Sequence, residues 1–411
     1  MPVWDILLSS ILRRVIRQGY LRLRHADGRV ERFGGAGARP SVTVHLDDRA
    51  LSRALVLRPS LALGEAYADG RLNVGGDDIR GLLELLLVNL SKPRAGRSRA
   101  LWRMGRRLSQ FNPPRLARRN VSHHYDLSPL MYELFLDADR QYSCAYFENP
   151  QWSLDEAQAA KKNIIARKLL LKPGHRVLDI GSGWGGLALH LAQSHGAHVT
   201  GVTLSREQHR TSSLRAATSK LGNKPHFRLE DYRHVTGTFD RVVSVGMFEH
   251  VGAPHYGEFF RTVRERLTDD GVALIHTIGR AHGPAPTDPW IAKYIFPGAA
   301  IPALSEILPA VERSGLTLTD VDVWRLHYAQ TLNAWRERFQ ANRDRIEAVC
   351  GARFGRLWCY YLAASEMAFR HGGLVVYQLQ LARRIDAVPL TRDYLLDRVS
   401  AHEPAPVAEA G

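Results

Sequence analysis

The stretch Arg176-Val-Leu-Asp-Ile-Gly-Ser-Gly-Trp-Gly-Gly-Leu-Ala-Leu-His-Leu-Ala192 decides the fold. Val177, Leu178 and Ile180 form a short apolar strand, the glycines Gly181, Gly183, Gly185 and Gly186 follow, and Leu187, Leu189 and Leu191 open a helix. Strand, glycine turn and helix start together cradle a nucleotide-type ligand, because glycine lets the backbone approach closely while its N–H groups point at the ligand. Gly181, Gly183 and Gly186 also fit a dinucleotide fingerprint. Two features tilt the choice. Asp179 stands at the strand end, where it can tie down the loop or meet an ammonium group. The next strand, His198-Val-Thr-Gly-Val-Thr203, ends without a carboxylate for the ribose hydroxyls of NAD. The cradle is therefore read as a site for S-adenosylmethionine (SAM).

Outward from the cradle, strands and helices alternate. Strands are expected at 198–204, 226–230, 239–245, 271–278, 316–326 and 374–381, and a helix at 154–171 leads into the cradle. This alternation predicts an α/β fold: a mostly parallel, Rossmann-like sheet with helices on both faces, preceded by a smaller N-terminal α+β domain. The expected division is residues 1–90, a basic linker at 91–120, the catalytic domain at 121–395 and a tail at 396–411. Within the first unit, Trp4, Leu7, Leu8, Ile11, Leu12, Val15 and Ile16 recur at helical spacing, with Arg13, Arg14 and Arg17 among them. Such a helix either packs on its own domain or lies on a membrane. A hairpin around Asp27-Gly28, a strand at 41–46, a loop or short helix at 61–70 and a buried helix at 82–90 complete it. The Pro- and Gly-rich segment 280–307 is too long for an ordinary connection and is expected to act as a lid.

With 411 residues the chain can bury a full-sized core. The longest apolar run, Leu82 to Leu90, is interrupted by Glu84 and is too short to cross a bilayer. The N-terminus shows neither a basic leader nor a small-residue cleavage site. The three cysteines, Cys144, Cys350 and Cys359, have no metal spacing and suit a reducing cytoplasm; no metal site is expected. Net charge is +15, and residues 1–120 hold 23 Lys and Arg against 10 Asp and Glu. Ten basic and no acidic residues lie between Ser91 and Asn120. That patch suits nucleic acid, an anionic membrane surface or a solvated linker; on a membrane each basic residue adds about 1 kcal/mol.

Ligands of such sheets lie across the carboxyl ends of the strands, so polar residues there are the candidates. Thr203, Leu204 and Gln208 suit ribose; Asp231 and Tyr232 suit the adenine amino group and ring. Glu249 follows the fourth strand, His276 sits near the end of the fifth and His327-Tyr328 follow the sixth. A carboxylate, an imidazole and a phenol converging from consecutive strand ends suggest acid–base or ion-binding chemistry. Cys144 has no histidine or basic neighbour in sequence and is not read as a nucleophile.

The sequence resembles the cyclopropane-fatty-acyl-phospholipid synthases, relatives of the mycolic acid cyclopropane synthases. The matching stretches are 125–128 (YDLS), 142–147 (YSCAYF), 177–186 (VLDIGSGWGG), 201–205 (GVTLS), 245–252 (VGMFEHVG), 275–279 (IHTIG), 290–298 (WIAKYIFPG) and His327-Tyr328. The leading domain is similar to that of the phospholipid-acting members. The resemblance implies that SAM donates a methyl group to the cis double bond of an unsaturated phospholipid acyl chain, after which a proton is lost and a three-membered ring closes. It further implies a bicarbonate ion acting as base, held by Cys144 and Ile278 through their backbones and by Glu249, His276 and Tyr328. Tyr142, Ser143, Gly181, Gly183, Thr203, Leu204, Gln208, Asp231 and Tyr232 are implied SAM contacts. A cysteine common in the family corresponds here to Ser365, so a thiol at that position is expected to be dispensable. The reading that results is a cytoplasmic homodimer peripheral to an anionic membrane, with no nucleic-acid partner. The alternative is an enzyme of the same fold that stops at methyl transfer, giving a methyl-branched fatty acid or a methylated amine.

Overall fold

Two sheets organise the chain across residues 2–90, 129–222 and 224–396, which are those described by the computed structural model. The first has strand order β2-β1-β3-β4. Its strands are β1 (Tyr20–Arg24), β2 (Val30–Gly34), β3 (Ser41–Leu46) and β4 (Leu72–Val74), with helices α1 (Val3–Val15), α2 (Leu51–Leu57), α3 (Pro59–Ala68) and α4 (Ile79–Leu90). The expected hairpin is present, β1 running antiparallel to β2 and parallel to β3. The segment expected as a loop or short helix at 61–70 lies mostly within α3, which begins on Pro59, a residue whose fixed φ suits the first helical turn.

The second sheet has seven strands in the order β10-β11-β9-β8-β5-β6-β7. They are β5 (Arg176–Ile180), β6 (His198–Thr203), β7 (Pro225–Leu229), β8 (Phe239–Val245), β9 (Leu267–Arg280), β10 (Thr317–Trp324) and β11 (Leu374–Ala382). The pairs among β7, β6, β5, β8 and β9 are parallel, and β11 is antiparallel to both β9 and β10. Its helices are α5 (Pro129–Phe135), α6 (Leu154–Lys168), α7 (Gly186–His195), α8 (Arg206–Thr218), α9 (Tyr256–Arg266), α10 (Pro289–Tyr294), α11 (Leu304–Ser314), α12 (His327–Ala341), α13 (Arg343–Cys350) and α14 (Ala352–His371). α6 starts at a capping box in which Ser153 and Glu156 satisfy each other's backbone N–H groups.

Several expectations change. The basic stretch 91–120, the Tyr125–Ser128 motif and residues 397–411 lie outside the described residues. Tyr328 sits in the first turn of α12 rather than at a strand end, because β10 stops at Trp324. Segment 280–307 contains α10 and is tied to the first unit: Lys293 and Tyr294 both donate to Glu65 at 2.7 Å, and Trp290 packs on Gly64, where a Cβ would come within 2.3 Å of its indole nitrogen. It is a strap across the two units rather than a free flap. α1 packs Leu8, Leu12 and Val15 inward and buries two polar side chains beside them. Asp5 and Ser9 are buried, accepting from Arg29 at 3.1 Å and donating to Glu31 at 2.7 Å respectively, while Val3 (67 %) and Ile6 (51 %) are exposed. The helix expected as buried at 82–90 belongs to α4, whose last residue, Leu90, is exposed. One hydrophobic core runs from the first sheet through α4 into α5, α12 and α14. A charged joint lies along the same seam, where buried Glu366 of α14 takes Arg80 of α4, Arg336 and Arg370.

Candidate active site

At the end of β5 the chain turns so tightly that Gly181 and Ser182 both donate to the Val202 carbonyl of β6, at 2.9 and 3.0 Å. Gly181 has φ +84°, and a Cβ there would stand 2.7 Å from that of Met247, so only glycine fits. At Gly186, the first residue of α7, a Cβ would meet the Gln141 side-chain nitrogen at 2.4 Å. The cleft so opened is lined by Tyr142, Ser143, Asp179, Gly181, Gly183, Thr203, Leu204, Gln208, Asp231 and Tyr232, the whole sequence-derived cofactor set.

Asp179 is buried at the floor of this cleft, and its Oδ2 has no partner among the described residues. Burial raises its carboxyl to about 7, against the pull of Lys161. The Ser182 hydroxyl is likewise buried without a partner. Orphaned polar atoms in a glycine-built cleft fit a polar ligand such as the amino-acid end of SAM. Thr203 Oγ1 donates to Gln208 Oε1 at 2.8 Å, which leaves the Gln208 amide nitrogen as the donor for a hydroxyl. Asp231 differs from expectation. Burial works to raise its carboxyl, but Arg233, at 2.7–3.0 Å across both oxygens, outweighs that and holds it low. Its role as an adenine acceptor would have to use the lone pairs that remain.

A second cavity, of about 800 Å³, adjoins the first. Tyr142, Ser143, Gly246 and His250 line both. The larger space is predominantly apolar and runs from the catalytic sheet into the first unit, past leucines of α1, β1, β3, β4 and α4. Its inner end carries Cys144, Glu249, His276, Ile278 and Tyr328, all five residues of the sequence-derived catalytic set, and its wall includes Ser365 but not Cys359.

The register pairs Val245 of β8 with His276 of β9, and Gly246 N–H donates to the His276 carbonyl at 2.9 Å, which fixes the turn carrying Glu249. Glu249 Oε1 accepts the Ile278 N–H at 2.6 Å, so that N–H is already engaged by the carboxyl rather than presented to an anion. Glu249 Oε2 is buried without a partner among the described residues, and burial raises the carboxyl to about 7. A carboxyl half-protonated at neutral pH can donate to an anion that a carboxylate would repel, so this constellation fits a small oxyanion. His276 is buried and held neutral, burial and the charges of Lys161 and Lys168 pushing its pKa well down. Gln378 Nε2 lies 3.1 Å from its Nδ1, an arrangement that leaves Nε2 as the protonated ring nitrogen. Tyr328 packs on Phe369 at 4.8 Å between ring centroids. The Cys144 thiol is fully buried, its pKa strongly raised by burial, and is inert.

Sequence reasoning missed Gln378, Gln141, His250, Lys161 and the leucines of the first unit. Gln378 and Gln380 interrupt an otherwise apolar strand, LVVYQLQLA, and a polar residue in such a run signals a buried partner. Lys161 carries no such signal, because EAQAAKKN reads as a solvated helix face.

The family described as mycolic acid cyclopropane synthetase matches residues 114–379, and a domain of unknown function (DUF7884) matches residues 7–92. The chain is 38 % identical over 328 residues to the cyclopropane-fatty-acyl-phospholipid synthase of Escherichia coli K12, covering 80 % of this chain and 84 % of that protein. It is 35 % identical over 399 residues to the tuberculostearic acid methyltransferase of Mycobacterium tuberculosis, covering 92 % and 91 %. Among solved structures, the cyclopropane synthase MmaA2 of Mycobacterium tuberculosis superposes with a TM-score of 0.62 at 32 % identity, over 66 % of this chain and 99 % of that one.

Proposed function

Because the chain belongs to the mycolic acid cyclopropane synthetase family and is a SAM-dependent methyltransferase of lipid acyl chains, we propose that it converts the cis double bond of an unsaturated phospholipid acyl chain into a cyclopropane ring. One observation carries this reading: the polar cleft and the long apolar cavity share the wall formed by Tyr142, Ser143, Gly246 and His250. A cofactor on one side and an acyl chain on the other would meet there.

Bound SAM supplies an electrophilic methyl group, and a bicarbonate ion beside it would supply the base. Asp179 and Ser182 would take the polar end of SAM, Thr203 and Gln208 the ribose, and Asp231 and Tyr232 the adenine. Glu249, His276 and Tyr328 would hold the anion, with the Cys144 and Ile278 backbones beside them. Glu249 donates from its protonated oxygen, and His276 donates from Nε2 while Gln378 fixes its tautomer. An alkylated double bond is a carbocation. The rings of Tyr142, Tyr328, Tyr361 and Phe369 line the cavity, where they exclude water and offer aromatic faces to that charge.

The membrane face follows from α1. Its exposed Val3, Ile6 and Leu7 and the nearby Arg13, Arg14 and Arg17 suit an anionic lipid surface, while Leu8, Ile11, Leu12 and Val15 of the same helix line the apolar cavity. No helix among the described residues is long and apolar enough to cross a membrane. Peripheral attachment at the cytoplasmic face, as a homodimer, is the arrangement proposed.

A second reading, methyl branching, is favoured by the long match to the tuberculostearic acid methyltransferase. The test is to incubate purified protein with SAM and vesicles of unsaturated phospholipid, release the fatty acids and record their proton spectra. Ring-methylene resonances support cyclopropanation. A methyl doublet or an exocyclic methylene in their place overturns it.

A further inference from the structure

Lys161 of α6 is completely buried beneath the wall shared by the two cavities, and no step described so far uses it. Its ammonium donates to Gln141 Oε1 at 2.7 Å and to Ser143 Oγ at 2.8 Å, two neutral groups. Burial drives its pKa down to about 7. Asp137 and Asp139 favour the charged form across space, but the groups that the ammonium directly hydrogen-bonds are neutral. What the cation does to those two partners is set by hydrogen-bond direction.

In its charged form, the form an incoming carboxylate favours, the Lys161 nitrogen has hydrogens to give and no lone pair to offer. Facing it, the Gln141 amide must present oxygen, which turns its nitrogen the other way, against Gly186 at the start of α7. Ser143 likewise presents a lone pair, so its hydroxyl hydrogen must point elsewhere. Both residues line the cofactor cleft. One buried charge therefore polarises two side chains in the same sense, making a rim of donors beside the N-terminus of a ten-residue helix. The carboxylate beside this rim, Asp139, is already engaged by Lys162 and Arg215, so the hydrogens of the rim favour an anionic oxygen group. We propose that Lys161 is a positioning residue, which orients Ser143 and Gln141 as donors and so makes the cleft selective for the carboxylate of the amino-acid arm of SAM.

This rests on the cleft being the SAM site, and the test separates the two ideas. Affinities of S-adenosylhomocysteine, of its decarboxylated analogue and of 5′-methylthioadenosine are measured by calorimetry for the wild type, Lys161→Met, Ser143→Ala and the double variant. Wild-type protein that binds none of the three refutes the cleft as the SAM site. Given binding, Lys161→Met should weaken S-adenosylhomocysteine at least about tenfold, the scale of a lost charge-assisted hydrogen bond, and leave the other two within about twofold. Ser143→Ala should show the same selectivity, and the double variant should lose little more than either single one, because the two act in series. Equal losses for all three ligands would mean that Lys161 merely supports the loop, and would overturn the proposal. Unchanged affinity for S-adenosylhomocysteine in Lys161→Met would overturn it as well. If that variant folds poorly, the ligand selectivity of Ser143→Ala alone decides.

Discussion

Replacing Glu249 by Gln is expected to stabilise the protein while disabling it, with a stability gain that depends on pH. The carboxyl is buried, and burial raises its pKa from 4.5 to about 7. In the unfolded chain the group ionises at its ordinary pKa, whereas in the fold the ionised form is disfavoured. The wild type therefore loses stability progressively as pH rises through the interval between those two values, and the deficit is constant above it. Each tenfold change in proton affinity is worth about 1.4 kcal/mol, so the deficit levels off at about 3 kcal/mol. Gln keeps an oxygen for the Ile278 N–H, which Glu249 now accepts at 2.6 Å, and it does not titrate. Urea unfolding of both proteins between about pH 5 and pH 8 should show the variant's gain rising from about 1 kcal/mol to about 3 kcal/mol. Turnover should fall about a hundredfold, the scale of a lost acid–base group, with S-adenosylhomocysteine affinity unchanged. That separation is expected because Glu249 lines the apolar cavity and not the cleft. A gap that does not vary with pH, or a variant less stable throughout, would refute the burial argument. Full turnover would remove Glu249 from the mechanism.

Gln378→Leu removes the partner of His276 Nδ1. It should cut kcat about tenfold without weakening cofactor binding, and Gln378→Asn should recover less than the native residue because it is shorter. Gly181→Ala forces a side chain onto φ +84° and against Met247; chemical denaturation should show a loss of about 1–3 kcal/mol, and cofactor affinity should fall with it. Ile6→Asp together with Leu7→Asp places charge on the exposed face of α1. Sedimentation with anionic vesicles should drop severalfold, and activity on detergent-dispersed phospholipid should survive; unchanged sedimentation would remove α1 from the membrane face.

What the sequence disclosed tracks how local each signal is. The cradle was legible because glycine spacing and an apolar strand are encoded within a dozen residues. That Glu249 and His276 line one cavity was legible through position relative to strand ends, whereas Tyr328 reaches the same cavity from a helix. The apolar cavity was not legible, since its leucines look like ordinary core: Leu82, Leu83, Leu86, Leu87 and Leu90 of α4 read as one buried helix. Only assembly shows that some of them face space rather than other side chains. Lys161 was hidden for the opposite reason. A lysine in a charged helix is solvated by default, and its burial is decided by a loop at 141–144 some twenty residues earlier in the chain.

Three buried ionisable groups around the shared wall show how such a site can accept a charged reactant. Burial pushes Asp179 and Glu249 up to about 7 and Lys161 down to about 7, each toward its neutral form. An incoming ammonium draws Asp179 back to carboxylate and releases a proton, whereas an incoming carboxylate draws Lys161 back to ammonium and takes one up. A ligand bringing both groups, as an amino-acid arm does, should therefore bind near neutral pH with almost no net proton exchange. A ligand bringing the amine alone should release protons. Calorimetry in buffers of different ionisation enthalpy reads this directly. Equal proton release for S-adenosylhomocysteine and its decarboxylated analogue would show that the two buried charges do not divide the amino-acid arm between them.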